Sequence, residues 1–208
     1  MKTTKNNRLC TIQNCGNKHY AKNYCFKHYQ RLNDDRELMT WKERFIIENP
    51  PRDGIGLIPL TQSKQAIVDE DNYCNLIKYN WHYTNYGYAA RRDNKNNKMV
   101  LMHRYILNTS ENEIYDHKNR NPLDNRKCNL RKCDRSQNGA NSKQRSSKSG
   151  YRGVSQHVSG LWHARTNYKR KEISIGYFKS KEDAARARDK IARKIFGEFA
   201  VLNFPCES

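Results

Sequence analysis

Long apolar runs are missing from this sequence. No stretch approaches the ~20 consecutive apolar residues of a membrane-spanning helix, so a membrane protein of that kind is not expected. Apolar residues are scarce altogether: 36% of the 208, with a mean hydropathy of −1.11. That is too little for one large core and suits several small modules, each needing a staple or a ligand. An apolar leader is missing too. Met1 to Leu9 is polar and basic, so no secretory signal is expected and an intracellular, cytoplasmic setting follows. Acids are few, 21 against 40 Lys plus Arg, for a net charge of +19. Cysteine is present in an odd number, seven, which rules out complete internal disulfide pairing.

The charge is unevenly spread. Residues 118–171 hold 15 Lys or Arg and only two acids, Asp124 and Asp134. A disordered basic tail is poor in aromatics, whereas this stretch contains Tyr151, Trp162 and Tyr168. It reads as a folded basic surface, and its partner as a polyanion, a nucleic acid.

Three cysteines cluster near the start. Cys10, Cys15 and Cys25 precede His28 in the spacing C-x4-C-x9-C-x2-H. Two ligand pairs on a short loop are what a tetrahedral Zn²⁺ requires, and thiolate and imidazole donors suit that ion. A module of this size lacks the apolar residues to fold without it. His19 is a competing ligand of poorer spacing. Cys74, Cys128, Cys133 and Cys206 show no second pairing, and Cys128 and Cys133 read as core.

Residues 32–47 read as a helical connector with Leu38, Trp41, Phe45 and Ile46 on one side. Asn49-Pro50-Pro51 with Asp53-Gly54 marks a boundary. Residues 55–60 and 65–68 read as strands, 69–81 carry helical spacing, and 82–92 read as strand. Met99 to Leu107 is a strand or a buried helix. His103 within it is a secondary site candidate, with a packed core histidine the more ordinary reading.

The informative stretch runs from Tyr115 to Asn138. Ile114 to His117 reads as a strand end and Lys118 to Lys127 as a polar loop with Asn-Pro and Asp-Asn turn signals. Asn129 to Lys132 reads as a second strand. Asp134 and Gln137 have capping-box spacing for a short helix. This order and the residues D-H, N-L-R and S-Q-N resemble the H-N-H endonuclease motif, the ββα-metal fold of phage and intron-encoded homing endonucleases. The resemblance implies that His117 is the general base and that Asn129 braces the loop. It further implies that Asp116 and Asn138 bind a divalent metal, with Asn141 a weaker alternative ligand. Oxygen donors select Mg²⁺ or Mn²⁺ over Zn²⁺. Neighbours on an ideal strand point to opposite faces, so Asp116 and His117 converge only if the strand end is twisted or broken.

Gly139 to Gly150 is small, polar and basic and reads as a flexible linker. Beyond it, residues 151–157, 160–166 and 172–178 read as three strands. A helix is expected from about Lys181 to Phe196, its apolar face Ala184, Ala187, Ile191 and Ile195, with Arg188 at the edge reaching water. Y-R-G-V at 151–154, G-L-W-H-A at 160–164, I-G-Y-F at 175–178, E-D-A-A-R-A at 182–187 and L-N-F-P at 202–205 resemble the plant Apetala/ethylene-response-factor DNA-binding domain, which also occurs fused to H-N-H nucleases. The resemblance implies a sheet that enters the major groove of double-stranded DNA. It puts Arg152, Ser155, His157, Arg165, Asn167 and Ser174 on the DNA, with Arg152 suited to a bidentate guanine contact.

The expected fold class is therefore α+β and multidomain: a zinc-binding module with connector (1–48), an H-N-H nuclease domain (54–138), a basic linker (139–150), and a three-stranded antiparallel sheet plus one helix (151–205). The expected activity is metal-dependent DNA cleavage of the homing type by a monomer or homodimer, in a bacterial host cell if the source is a phage. The alternative is a sequence-specific DNA-binding regulator without cleavage.

Overall fold

The computed structural model describes residues 8–13, 15–34, 37–110, 112–143 and 147–205; residues 1–7 and Cys206 lie outside them. The architecture is mixed α/β, built from short helices and small antiparallel sheets. Contacts divide the chain into two units, Met1–Asn85 with Ala89–Arg91, and Tyr86–Tyr88 with Arg92–Ser208. Among the described residues no helix is long and apolar enough to cross a membrane.

In the first unit, helix α1 (Phe26–Asn33) starts directly after Cys25 and buries His28 on its first turn. The connector expected over 32–47 forms its helix only from Trp41: α2 (Trp41–Glu48) has its own start. Thr40 Oγ1 accepts the Glu43 N–H at 3.2 Å and Glu43 Oε2 accepts the Thr40 N–H at 2.7 Å, a complete capping box. Strands β1 (Ile55–Pro59) and β2 (Gln65–Asp69) form a hairpin with Leu57 opposite Ile67. Alternation places Ile58, Ala66 and Val68 inside. Helix α3 (Glu70–Leu76) covers that hairpin with Tyr73 and Leu76. Residues 82–92 hold two strands, β3 (His82–Tyr83) and β4 (Ala89–Arg92), paired antiparallel.

In the second unit the apolar run from Met99 is both strand and helix: β5 (Met99–Leu101) passes straight into α4 (Met102–Leu107), which buries Met102 and His103. Strands β6 (Ile114–His117) and β7 (Leu130–Cys133) pair antiparallel, with Asp116 opposite Arg131 and His117 opposite Leu130. Helix α5 (Arg135–Asn141) follows, its capping box made by Asp134 and Gln137 with both bonds at 2.8 Å. Strands β8 (Val154–Gln156), β9 (Trp162–Tyr168) and β10 (Lys171–Phe178) form a sheet in the order β10-β9-β8. Helix α6 (Lys181–Phe196), capped by Ser180, lies on one face with Ala184 and Ala185 against Val154 and Ala164. Small residues on both sides allow that close approach.

Three expectations need correcting. Arg188 does not reach water: it is 3% exposed, and Nη1 donates to the Val201 carbonyl at 2.7 Å and to Asp189 at 3.1 Å. The buried face of α6 therefore includes this polar pair, and Asp189 also accepts the Asn203 and Phe204 N–H groups. Cys128 is exposed rather than core, because in the 3₁₀ turn Lys127–Asn129 it is Asn129 that turns inward. The segment read as a flexible linker is partly structural. Gly139 to Asn141 complete α5, and buried Ser149 donates to the Val154 carbonyl at 2.7 Å.

Candidate functional site

In the first unit, the donor atoms of Cys10, Cys15, Cys25 and His28 all lie within 4.8 Å of one another. The Cys15 and Cys25 sulfurs are 3.8 Å apart. His28 Nδ1 lies 3.3 Å from Cys10 Sγ, 3.5 Å from Cys15 Sγ and 3.3 Å from Cys25 Sγ. A tetrahedron with Zn–S near 2.3 Å and Zn–N near 2.0 Å has edges of about 3.8 and 3.5 Å, so the donor set fits a structural zinc site. Burial pushes Cys15 up, and so do the neighbouring Cys10 and Cys25 thiols. Cys10 is drawn down to about 7: burial opposes this, but hydrogen bonds from the main chain of Cys25 and Ile12 and from His28 outweigh it. His19 stands outside the cluster, its Nε2 accepting the Asn23 N–H at 3.1 Å. On the far side of the ring, His28 Nε2 is 3.3 Å from Glu43 Oε1. Burial would raise the Glu43 carboxyl, but Lys27 and Thr40 hold it down at about 2, so it stays anionic beside the imidazole. Nε2 makes no hydrogen bond at this geometry, so the carboxylate acts on the ring through its charge.

The second unit holds Asp116 and His117 at the buried end of β6, 7% and 5% exposed. The pairing stays regular through His117, the last residue of β6, so no break falls between Asp116 and His117, and the two side chains find different partners. Asp116 Oδ2 accepts from Arg131 Nε at 3.2 Å, Arg131 Nη2 at 3.0 Å and Asn141 Nδ2 at 2.8 Å. His117 packs against Tyr88 and His103, with ring centroids 6.0 and 5.2 Å away. Its Nε2 lies 3.4 Å from Asn125 Oδ1. The Asn125 amide is oriented by the Leu123 carbonyl, which accepts from Nδ2 at 3.1 Å, so Oδ1 faces the imidazole. The matching tautomer carries its proton on Nε2 and leaves Nδ1 as the basic nitrogen. Burial pushes His117 below the ordinary imidazole value, partly countered by the Asn125 hydrogen bond and the Asp116 and Asp124 charges.

Asn129 spans the loop between the strands. Its Nδ2 donates to the Asp124 carbonyl at 2.8 Å and to Asn119 Oδ1 at 3.0 Å, and its Oδ1 accepts the Asn119 N–H at 3.0 Å. Arg126 grips buried Asp124 through two bonds of 2.8 and 2.7 Å, which holds that carboxyl below its usual range despite burial. Helix α5 brings Asn141 to Asp116 and to the His117 carbonyl, 2.8 Å each, while Asn138 is exposed one turn earlier. The sequence assigns no role to Asn125 or Arg131: Asp124-Asn125 reads as a turn signal, and Arg131 only completes the N-L-R match.

A curated protein of Acanthamoeba polyphaga mimivirus, named an uncharacterized HNH endonuclease, is 31% identical over 150 residues, which cover 66% of this chain and 74% of that protein. This chain belongs to the HNH endonuclease family. A second relative, the dehydration-responsive element-binding protein 2E of Oryza sativa subsp. japonica, is 44% identical over 57 residues, 26% of this chain and only 18% of that protein. No protein-family model and no solved structure matches the chain.

In this HNH family member the sheet face away from α6 is polar and aromatic. Arg165, Asn167 and Ser174 are exposed there, and Ser155 stands opposite His163 in the register. His163 Nε2 and Ser174 Oγ are 2.8 Å apart, and Arg165 pairs with Glu172 at 2.8 Å. His163 stacks on Tyr177 at 4.7 Å, and His157 meets the same ring edge-on at 4.9 Å. Tyr177 and His163 were not singled out in the sequence. Arg152 lies elsewhere: its guanidinium donates to the Gly139 and Ser142 carbonyls at 2.9 and 2.6 Å and so caps the C-terminal end of α5.

Proposed function

We propose that this protein is a metal-dependent DNA endonuclease of the homing type that hydrolyses phosphodiester bonds. The observation that carries the reading is the environment of His117: buried, pushed below the ordinary imidazole value by that burial, and with Nε2 3.4 Å from Asn125 Oδ1. A neutral imidazole can take the proton of a water molecule as that water attacks phosphorus. The P–O3′ bond then breaks and the departing oxygen gathers charge. Asp116 and Asn138 would hold a divalent cation, Mg²⁺ or Mn²⁺, which when bound neutralises that charge. Hard oxygen donors fit such an ion. Asn141 positions Asp116, and Asn129 keeps the loop closed over the strand ends.

Cys10, Cys15, Cys25 and His28 carry a structural Zn²⁺ in this reading. The sheet face with Ser155, His157, Arg165, Asn167 and Ser174 meets duplex DNA, in keeping with a relative whose name marks it as element-binding. Arg152 supports the nuclease helix rather than a base.

The test is nicking of supercoiled plasmid by the zinc-loaded protein with Mg²⁺. His117→Ala is expected to cut at least ~10²-fold more slowly, with unchanged affinity in a gel shift without divalent ion. Equal cutting by both proteins would overturn the assignment. Binding without cutting by the wild type would favour the regulator.

A further inference from the structure

We infer that the C-terminal module is a working part of the nuclease site: Glu198 and Phe199, just beyond α6, hold Arg131, and Arg131 sets the position of the Asp116 carboxylate. The functional side of this inference rests on Asp116 as a metal ligand. The anchoring itself rests on geometry alone.

Arg131 faces Asp116 across the β6–β7 pair, and its side chain is only 10% exposed. One edge of the guanidinium, Nε and Nη2, reaches Asp116 Oδ2 at 3.2 and 3.0 Å. The opposite nitrogen, Nη1, donates to the Glu198 carbonyl and to Glu198 Oε2, both at 3.1 Å. The flat face lies over the Phe199 ring, with the guanidinium carbon 3.8 Å from the ring centroid. A planar fork is suited to hold three surfaces at once, and a lysine cannot reproduce it. Phe199 is itself buried in the cluster of Ala140, Ala192 and Phe196, to which α5 and α6 both contribute. The fork is therefore seated on the core that joins the two modules and cannot swing without opening it.

The consequence falls on Asp116. With Asn141, the fork puts three donors on one oxygen, Oδ2. That fills the lone pairs of Oδ2, so the other oxygen, Oδ1, would be the one to hold a cation. Arg131, Glu198 and Phe199 are positioning residues in this scheme, and the module with the sheet face steadies the carboxylate of the cutting site.

The experiment uses the full zinc-loaded chain and Mn²⁺ binding followed by electron paramagnetic resonance. Arg131→Lys and Phe199→Leu are expected to weaken Mn²⁺ binding ~10-fold, the usual effect of losing a supporting partner. Phe199→Tyr, which keeps the ring, is expected to bind Mn²⁺ like the wild type. Plasmid nicking should show the same order in the Mn²⁺ concentration needed for half-maximal rate. Gel-shift affinity without divalent ion should stay within about twofold, since the sheet face is untouched. Amide exchange at Asp116 and His117 gives a readout apart from any metal, and both variants are expected to speed it. Wild-type Mn²⁺ affinity and wild-type exchange in a cooperatively folded Arg131→Lys would overturn the inference. Should Phe199→Leu fail to fold, Arg131→Lys decides alone. If Asp116→Asn leaves Mn²⁺ binding intact while Arg131→Lys still speeds exchange, the anchor stands and the ligand role of Asp116 falls.

Discussion

Burial pushes the His103 imidazole down to about 3, with the nearby His117 and Arg104 charges adding to it. Folding therefore strips a proton that the unfolded chain holds below about pH 6.5. The stabilising effect of a neutral His103 is complete above that value and drains away as pH falls toward about 3, where the folded protein takes up the proton. Denaturant melts at pH 7 and pH 5 should show wild type losing stability that His103→Gln retains, by roughly 2 kcal/mol at most; equal losses would mean the ring is not held neutral. Gly153 offers a second residue-scale prediction. Its φ is +71, and a Cβ there would collide with the Arg165 carbonyl. Gly160 has φ +84 but open space around it. Gly153→Ala should cost about 3 kcal/mol and Gly160→Ala about 1 kcal/mol in thermal melts; similar losses would remove the steric argument. At this scale Asp116, His117 and Asn129 were legible because their types and spacing carry chemistry. Arg131 and Asn125 were not, since a cation and an amide acquire a role only from what stands opposite.

Elements whose ends carry their own hydrogen-bonding side chains were the readable ones. Asp134 with Gln137 marks the start of α5 in the sequence, and that capping box is formed. The connector expected over 32–47 shortens to α2, because Thr40 caps the chain only at Trp41. Thr40→Ala should cost about 1 kcal/mol through the lost cap, seen as a lower melting midpoint. Glu43 serves both this cap and His28. Glu43→Gln should therefore release zinc to a competing chelator ~10-fold more readily, whereas Glu48→Gln, at the other end of the helix, should not. Helix α6 was placed correctly but its inner face was not. An Arg and an Asp look like solvent residues until Val201 and the main chain of Asn203 and Phe204 supply their partners.

For the whole molecule, +19 on a short chain predicts binding that weakens steeply with salt. If roughly six to ten cations meet phosphates, the log–log slope of affinity against salt should fall between about −5 and −9. A slope near zero would rule out phosphate-driven binding. Removing zinc with a strong chelator should abolish exchange protection in residues 15–34 and lower the melting temperature, both restored by adding Zn²⁺. Unchanged melting would contradict a structural metal.

By itself the sequence determined the donor set of the Cys₃His cluster, the strand–loop–strand–helix order around His117, and the three-strand-plus-helix module at the end. These follow from local spacing, turn residues and caps, which act over a few positions along the chain. The tertiary structure alone decided which asparagine reaches Asp116, that His103 shares a wall with His117, that Arg152 supports α5, and that Arg131 ties Asp116 to Phe199. Those contacts join residues up to 68 positions apart. Periodicity carries no information about such pairs, because what selects them is the need of buried polar groups for partners once the cores have closed.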